Sequence, residues 1–311
     1  MRDAFIARLY GLCADDPRLY LITGDLGFSV LDGFIADYPQ QFLNAGVAEQ
    51  NMTAVGAGLA LEGRIVFTYS IANFPVMRCF EHLRNDVCYH DANLKVVAVG
   101  GGFSYGQLGF SHHATEDLAI TRALPKMTVV SPGCRWEASE ATEALVNRPG
   151  PAYLRLDKGG PKENTNRPGE QFVLGKARVL REGDAMTLIS TGGVLDDVLA
   201  AADQLAAQGL PCRVLSMHTI KPLDEEAVLD AARSTGGIVT IEEHNVIGGL
   251  GGAVAETCLE GGVPPRAFTR LGLKDVYSTI VGSQKYLRSH YGMDAPAIVA
   301  AVHRLLKRDS R

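Results

Sequence analysis

One carboxylate stands alone in an apolar stretch of this chain. Glu49 is the only charged residue between Ala45 and Leu61, among small residues such as Ala54, Gly56, Ala57 and Gly58 and apolar ones such as Val47, Met52, Val55 and Leu59. The pattern predicts one helix over 45–61, apolar all round and therefore buried. A carboxylate carried into such a place either takes up a proton or finds a partner, because a lone buried charge is expensive. Asn44 is placed to cap the helix, which would set Glu49 just past the first turn, where the helix dipole favours an anion. Two readings follow: a structural glutamate bonded to nearby backbone, or an acid–base group whose raised pKa lets it share a proton near neutrality.

Other candidate residues lie on loops. His112 and His113 offer imidazoles that titrate near working pH. Paired histidines also suggest metal binding, but neighbours on a loop diverge, and no third ligand is apparent. Asp25 and Ser29 follow a predicted strand, where an aspartate serves equally well to cap a strand-to-helix turn. Phe74, Met77 and Phe80 recur at i, i+3, i+6, which by itself is a core stripe. Arg2 by itself is a solvated charge. The run Gly248–Gly252 opens a helix and either cradles an anion or permits a tight turn.

These residues need elements to hold them. Predicted strands cover 19–23, 65–69, 94–99, 127–131 and 152–156, and predicted helices cover 3–13, 45–61, 77–90, 115–123 and 137–146. Residues 158–170 are rich in Gly, Pro and polar types and read as a linker. A second alternating unit follows, with strands at 186–191, 212–217 and 237–242 and helices at 195–208, 225–232, 253–259 and 296–306. Alternation of this kind predicts an α/β chain with two parallel-sheet domains, 1–160 and 176–311, joined through 161–175. Ligands then bind at the carboxyl ends of strands, where the candidate loops fall.

Composition narrows the class. The 311 residues suffice for about two domains. A hydrophobic content of 46% against 21% charged residues fits a soluble chain with a substantial core, and a net charge of −5 argues against a nucleic-acid partner. No apolar run approaches the roughly 18 residues of a membrane span. Met1-Arg2-Asp3-Ala4 lacks a signal-peptide pattern, so a cytoplasmic protein is expected. The six cysteines are scattered, with no C-x-x-C pair, and read as buried thiols.

The stretch Asn44–Met52 resembles the glutamate-bearing helix of the thiamine diphosphate enzymes of the transketolase family. There the glutamate shares a proton with N1′ of the cofactor's aminopyrimidine. Met217–Asp224 and Glu242-Glu243-His244 resemble the family's C-terminal domain, which makes His218 and His244 structural. The resemblance thus spans the chain and implies a pyrimidine-binding domain followed by a transketolase C-terminal domain. It assigns Glu49 and His112 to catalysis, with Gly109–His113 similar to the family's histidine loop, and Asp25, Phe74, Met77 and Phe80 to the cofactor. Met77 stands where the family carries an aromatic, and its sulfur can still contact a ring. Arg2, Ser29, His112, His113 and Lys158 are assigned to substrate, and no residue to a metal.

Departures from the family pattern sharpen the expectation. The Gly-Asp-Gly motif that grips the diphosphate through magnesium is missing, since Gly24-Asp25-Leu26-Gly27 lacks its second glycine. A two-component enzyme is therefore expected, in which an N-terminal subunit holds the Mg2+ and the diphosphate while this chain holds the pyrimidine. A self-dimer and an α2β2 assembly are expected, as is transfer of a two-carbon ketol unit from a ketose or ketose phosphate to an aldehyde. Leu108 replaces an aspartate that reads the acceptor's C2 hydroxyl, and Gly100–Tyr105 lacks a second family histidine, which puts ordinary pentose phosphates in doubt. Two alternatives are a deoxyxylulose-phosphate synthase-like decarboxylating ligase and a non-catalytic regulatory partner. A 2-oxoacid dehydrogenase β-subunit is disfavoured, because those sequences read I-S-E where this one reads Val47-Ala48-Glu49.

Overall fold

A computed structural model describes residues 1–158 and 165–309, so part of the expected linker (161–164) lies outside the described residues. The first sheet contains β1 (Leu19–Thr23), β2 (Phe42–Asn44), β3 (Ile65–Ile71), β4 (Leu94–Val99), β5 (Thr128–Val130) and β6 (Ala152–Leu156). The second contains β7 (Arg178–Arg181), β8 (Thr187–Thr191), β9 (Arg213–Ser216), β11 (Ile238–Asn245) and β12 (Phe268–Leu273). Between β9 and β11, β10 (Thr219–Lys221) crosses back and pairs antiparallel with β5 at the edge of the first sheet. The sheet orders are β10-β5-β6-β4-β3-β1-β2 and β12-β11-β8-β9-β7, parallel except for β10 and β7 at their edges.

Central strands are apolar because both faces of each sheet are covered. Along β4, Leu94, Val96 and Ala98 pack into one layer, while Val97 and Val99 pack into the other, as period-2 side chains must. Helices Arg2–Asp15 and Arg135–Val146 cover one face of the first sheet through Phe5, Leu9, Ala138 and Ala141. The opposite face carries helix Glu49–Leu61 and the segment 74–88. Gly56 lets the former ride close to the sheet, since a Cβ there would meet Leu94 Cδ1 at 2.8 Å. The second sheet is covered likewise, by helices Leu195–Ala206 and Ala295–Asp309 on one side and Glu225–Ser234 and Leu250–Glu260 on the other. All six cysteines are free and buried.

Several elements differ from expectation for physical reasons. The glutamate helix begins at Glu49, with Ala48 at its N-cap position and no side-chain cap. Asn44 ends β2, so it cannot cap that helix. Nor is the stretch buried on every side: Gln50, Asn51 and Gly58 are exposed, and Val47 and Leu61 remain 75% and 56% exposed. The expected helix 77–90 is a π-helical turn at Phe74–Arg78, a short α-helical turn at Phe80–His82 and a second π-helical stretch at Leu83–Cys88. The glycine run does serve an anion, an internal one: the Glu242 carboxylate accepts from the N–H groups of Leu250 (2.7 Å) and Gly251 (2.8 Å) at the helix start.

Buried Lys95 on β4 donates to the carbonyls of Arg148 (2.7 Å) and Gly150. Burial pulls its pKa from the ordinary 10.5 down to about 7, with Arg148 adding to the shift. Between those pH values the unfolded chain binds the proton and the folded chain does not, so stability from this group grows as pH rises from about 7 towards 10.5. Urea unfolding across that range should show the wild type gaining stability relative to Lys95→Met. Parallel curves for the two proteins would contradict this.

Candidate active site

The chain leaves β1 for β2 on one side and returns to β3 on the other, which opens a crevice at the carboxyl ends of β1 and β3. The loop after β1 is held open by two left-handed residues, Asp25 (φ 58°) and Ser29 (φ 62°). Asn44 fixes that loop to the start of the next. Its Oδ1 accepts from Asp25 N and Gly46 N, both at 3.0 Å, and its Nδ2 donates to Asp25 Oδ1 at 2.9 Å. Gly24 sits close to Glu49, whose Cγ would lie 3.9 Å from a Cβ at that position.

Glu49 is 3% exposed and has found a partner. Arg78 Nη1 donates to its Oε2 at 2.7 Å, from a side chain that is 49% exposed. The Arg78 guanidinium carbon lies 4.8 Å from the centre of the Phe74 ring, and Gln50 Nε2 donates to the Arg78 carbonyl at 3.1 Å. Phe74 also meets the His112 ring edge-on at 5.3 Å. Asn73 Nδ2 reaches the carbonyl of Ser111 at 2.7 Å, and Ser111 Oγ lies 3.0 Å from His112 Nδ1. Glu49, Phe74 and His112 are thus brought to one place.

Sequence reasoning missed Arg78, Asn73 and the true role of Asn44. Arg78 and its carboxylate partner lie 29 residues apart, so no local pattern signalled the pair. The other expected residues are placed less centrally. Met77 is 39% exposed at the surface, while Phe80 packs against the core. A π-helical turn has more residues per turn than an α-helix, so the i, i+3, i+6 set splays. His113 is turned behind the loop, edge-on to Phe103 at 5.1 Å, where burial lowers its pKa. Arg2 and Ser29 line one cleft with Tyr10 and Phe34. Lys158 lines a neighbouring cavity of about 420 Å3 with Tyr105, Leu108 and Gln284. Its Nζ lies 4.0 Å from the Tyr105 ring, and burial followed by the charge of Arg2 lowers its pKa.

The second half of the chain clamps the histidine loop. Glu243 accepts from Phe103 N and pairs with Arg288 at 2.6 Å. Buried Arg155 bridges the halves, donating to Asp117 Oδ2 (2.9 Å), to the Ala114 carbonyl (3.0 Å) and to the Glu243 carbonyl (2.9 Å). Gly282 N donates to the Gly106 carbonyl at 3.2 Å, and the rings of Phe110 and Tyr277 meet at 4.9 Å. Gly102 is obligatory here, because it has φ +59° and a Cβ would meet Glu243 Oε1 at 2.6 Å.

Comparison with known proteins identifies both halves of the chain. The family model described as "Transketolase, pyrimidine binding domain" matches residues 1–162, and "Transketolase, C-terminal domain" matches residues 175–298. The chain belongs to the transketolase family. Among its relatives, a 6-deoxy-6-sulfo-D-fructose transketolase subunit from a Clostridium species is 38% identical over 99% of this chain and 95% of its own length. One of the subunits of an apulose-4-phosphate transketolase from Phocaeicola vulgatus is 35% identical over 99% and 97%. A solved structure described as "Split gene transketolase, inactive beta4 tetramer" superposes with a TM-score of 0.87 at 36% identity, covering 98% of this chain and 97% of the other.

The transketolase family uses thiamine diphosphate, and the residues around Glu49 fit its aminopyrimidine end. A buried carboxylate and an aromatic face lie together there. Ser70 Oγ and Asn73 Oδ1, both buried, have no hydrogen-bond partner among the described residues. Such orphaned polar atoms suit a ligand that carries ring nitrogens and an amino group.

Proposed function

We propose that this chain is the C-terminal subunit of a two-component, thiamine diphosphate-dependent transketolase that moves a two-carbon ketol unit from a ketose donor to an aldehyde acceptor. The observation that carries the reading is the convergence of the buried Glu49 carboxylate, the Phe74 ring and His112 at the sheet's switch point. When bound, thiamine diphosphate supplies carbanion chemistry at a single ring carbon. Glu49 holds a proton at the aminopyrimidine N1′, which suits a carboxylate withdrawn from water. Phe74 would offer its face to that ring and Asp25, tied to Asn44, would border it, while Met77 at the surface and Phe80 against the core would act from further out. His112 stands towards the open side and moves protons at the substrate oxygens, while His113 supports it from behind. Lys158, in the cavity with Tyr105 and Leu108, holds the anionic group of the sugar, and Arg2 and Ser29, in the adjoining cleft, are assigned to the same group from further away. The diphosphate and its Mg2+ belong to an N-terminal partner subunit, in an α2β2 assembly built on a self-dimer of this chain.

Two-substrate kinetics on the assembled complex test the reading. Aldehyde release from a ketose phosphate supports it. Release of carbon dioxide from pyruvate would establish the decarboxylating ligase instead, and turnover unaffected by loss of this chain's His112 would leave it a regulatory partner.

Leu108 is 56% exposed at the rim of the Lys158 cavity, where it offers a substrate hydroxyl nothing to bond. Xylulose 5-phosphate with ribose 5-phosphate should therefore be used poorly, and a less polar or modified sugar better. Leu108→Asp should raise kcat/KM for ribose 5-phosphate by about ten-fold, the worth of one added hydrogen bond. Wild-type kinetics equal to those of an ordinary transketolase on that pair would show that Leu108 does not discriminate.

A further inference from the structure

Arg78 holds one oxygen of the Glu49 carboxylate, Oε2, and the way it is held indicates what would take its place. Its guanidinium is a flat, delocalised cation with N–H donors at its edge. One edge donor reaches Glu49 Oε2 at 2.7 Å, while its central carbon lies 4.8 Å from the Phe74 ring centre. An aminopyrimidine protonated at N1′ is likewise a flat cation that offers an edge N–H to a carboxylate and a face to an aromatic ring. The two would make the same two contacts, and only one of them can hold Glu49 Oε2 and the same face of Phe74 at a time.

We propose that Arg78 is a built-in surrogate for the cofactor's aminopyrimidine, occupying Glu49 in the empty subunit and withdrawing when the cofactor enters. This rests on the functional reading above. The asymmetry in exposure supports the direction of exchange. Glu49, 3% exposed, cannot be left alone without a severe desolvation penalty, whereas Arg78, 49% exposed, already lies half in water and leaves at small cost. The Arg78 backbone stays anchored by Gln50, so the side chain can swing without moving the turn. The pair keeps the empty pocket's buried charge satisfied, and cofactor affinity is the difference between two competing partners.

Calorimetric titration of the complex between this chain and its diphosphate-binding partner, using thiamine diphosphate and magnesium, is the test. Arg78→Ala should tighten cofactor binding by about five-fold or more, because the competitor is gone. Arg78→Lys, which keeps the charge but lacks the planar guanidinium, should fall between the two. In a Glu49→Gln background the tightening should disappear, as expected for two residues that act on one another. Weaker binding by Arg78→Ala would overturn the proposal, since it would make Arg78 a residue that holds the cofactor. Equal tightening in the Glu49→Gln background would also overturn it, because the gain would then be steric. Absence of any binding to the wild-type complex would instead defeat the functional reading, and the surrogate role with it.

Discussion

Glu49→Gln and Glu49→Ala are expected to fold and assemble normally and to lose turnover by about 10²–10⁴-fold at ordinary cofactor levels, the range spanned by a single proton-transferring group. The fold should tolerate the change because Glu49 sits at the first position of its helix and its ion pair reaches a half-exposed arginine. Pairs with one partner so placed contribute about 1 kcal/mol or less. Glutamine keeps the shape and a hydrogen-bond acceptor for Arg78 but cannot take and return a proton. The two variants separate shape from chemistry, since a purely structural Glu49 would make alanine harmful and glutamine harmless. Thermal unfolding and kcat of the assembled complex are the measurements. Near-wild-type turnover by a correctly assembled Glu49→Ala complex would sink the assignment.

The isolated chain should bind thiamine diphosphate poorly and turn over no ketose. The cofactor's two anionic groups depend on magnesium, and hard cations require several oxygen ligands in near-octahedral geometry. On the proposed reading those ligands belong to the partner subunit. Losing two charge-assisted contacts at roughly 1.5–3 kcal/mol each weakens binding by about two to four powers of ten. The exposed apolar surface points the same way: Phe28, Val47, Phe110 and Val281, on loops around the candidate site, are between 56% and 77% exposed. Adding the partner should restore binding and turnover together and cover these residues. Micromolar binding with turnover by the purified chain alone would refute the two-component reading.

What could be read from the sequence was local. The longer strands β3 and β4 were legible because buried parallel strands are near-continuous apolar runs, while β2, β7 and β10 have three or four residues each and carry too little pattern. Glu49 was legible through its isolation, and His112 through its type and loop. Arg78 was not, because its partner lies 29 residues away and the two meet only through a π-helical turn that no 3.6-residue period anticipates. Asn44 was misread for a related reason. A polar residue before a helical pattern looks like a cap, and only the pairing of β1 with β2 shows that it belongs to a strand.

The edge strand β10 has a consequence for synthesis and for protein engineering. Thr219 emerges from the ribosome long after Leu156, so the first sheet waits with β5 lacking its outer neighbour until much of the second half has been made. An open edge of that kind is a template for wrong pairing with other chains. A fragment cut near residue 160 would carry every residue assigned to the cofactor and yet leave that seam permanently unstitched. Anyone wishing to transplant the pocket into another scaffold would have to bring the strip at 219–221 along, or splice in a substitute for it.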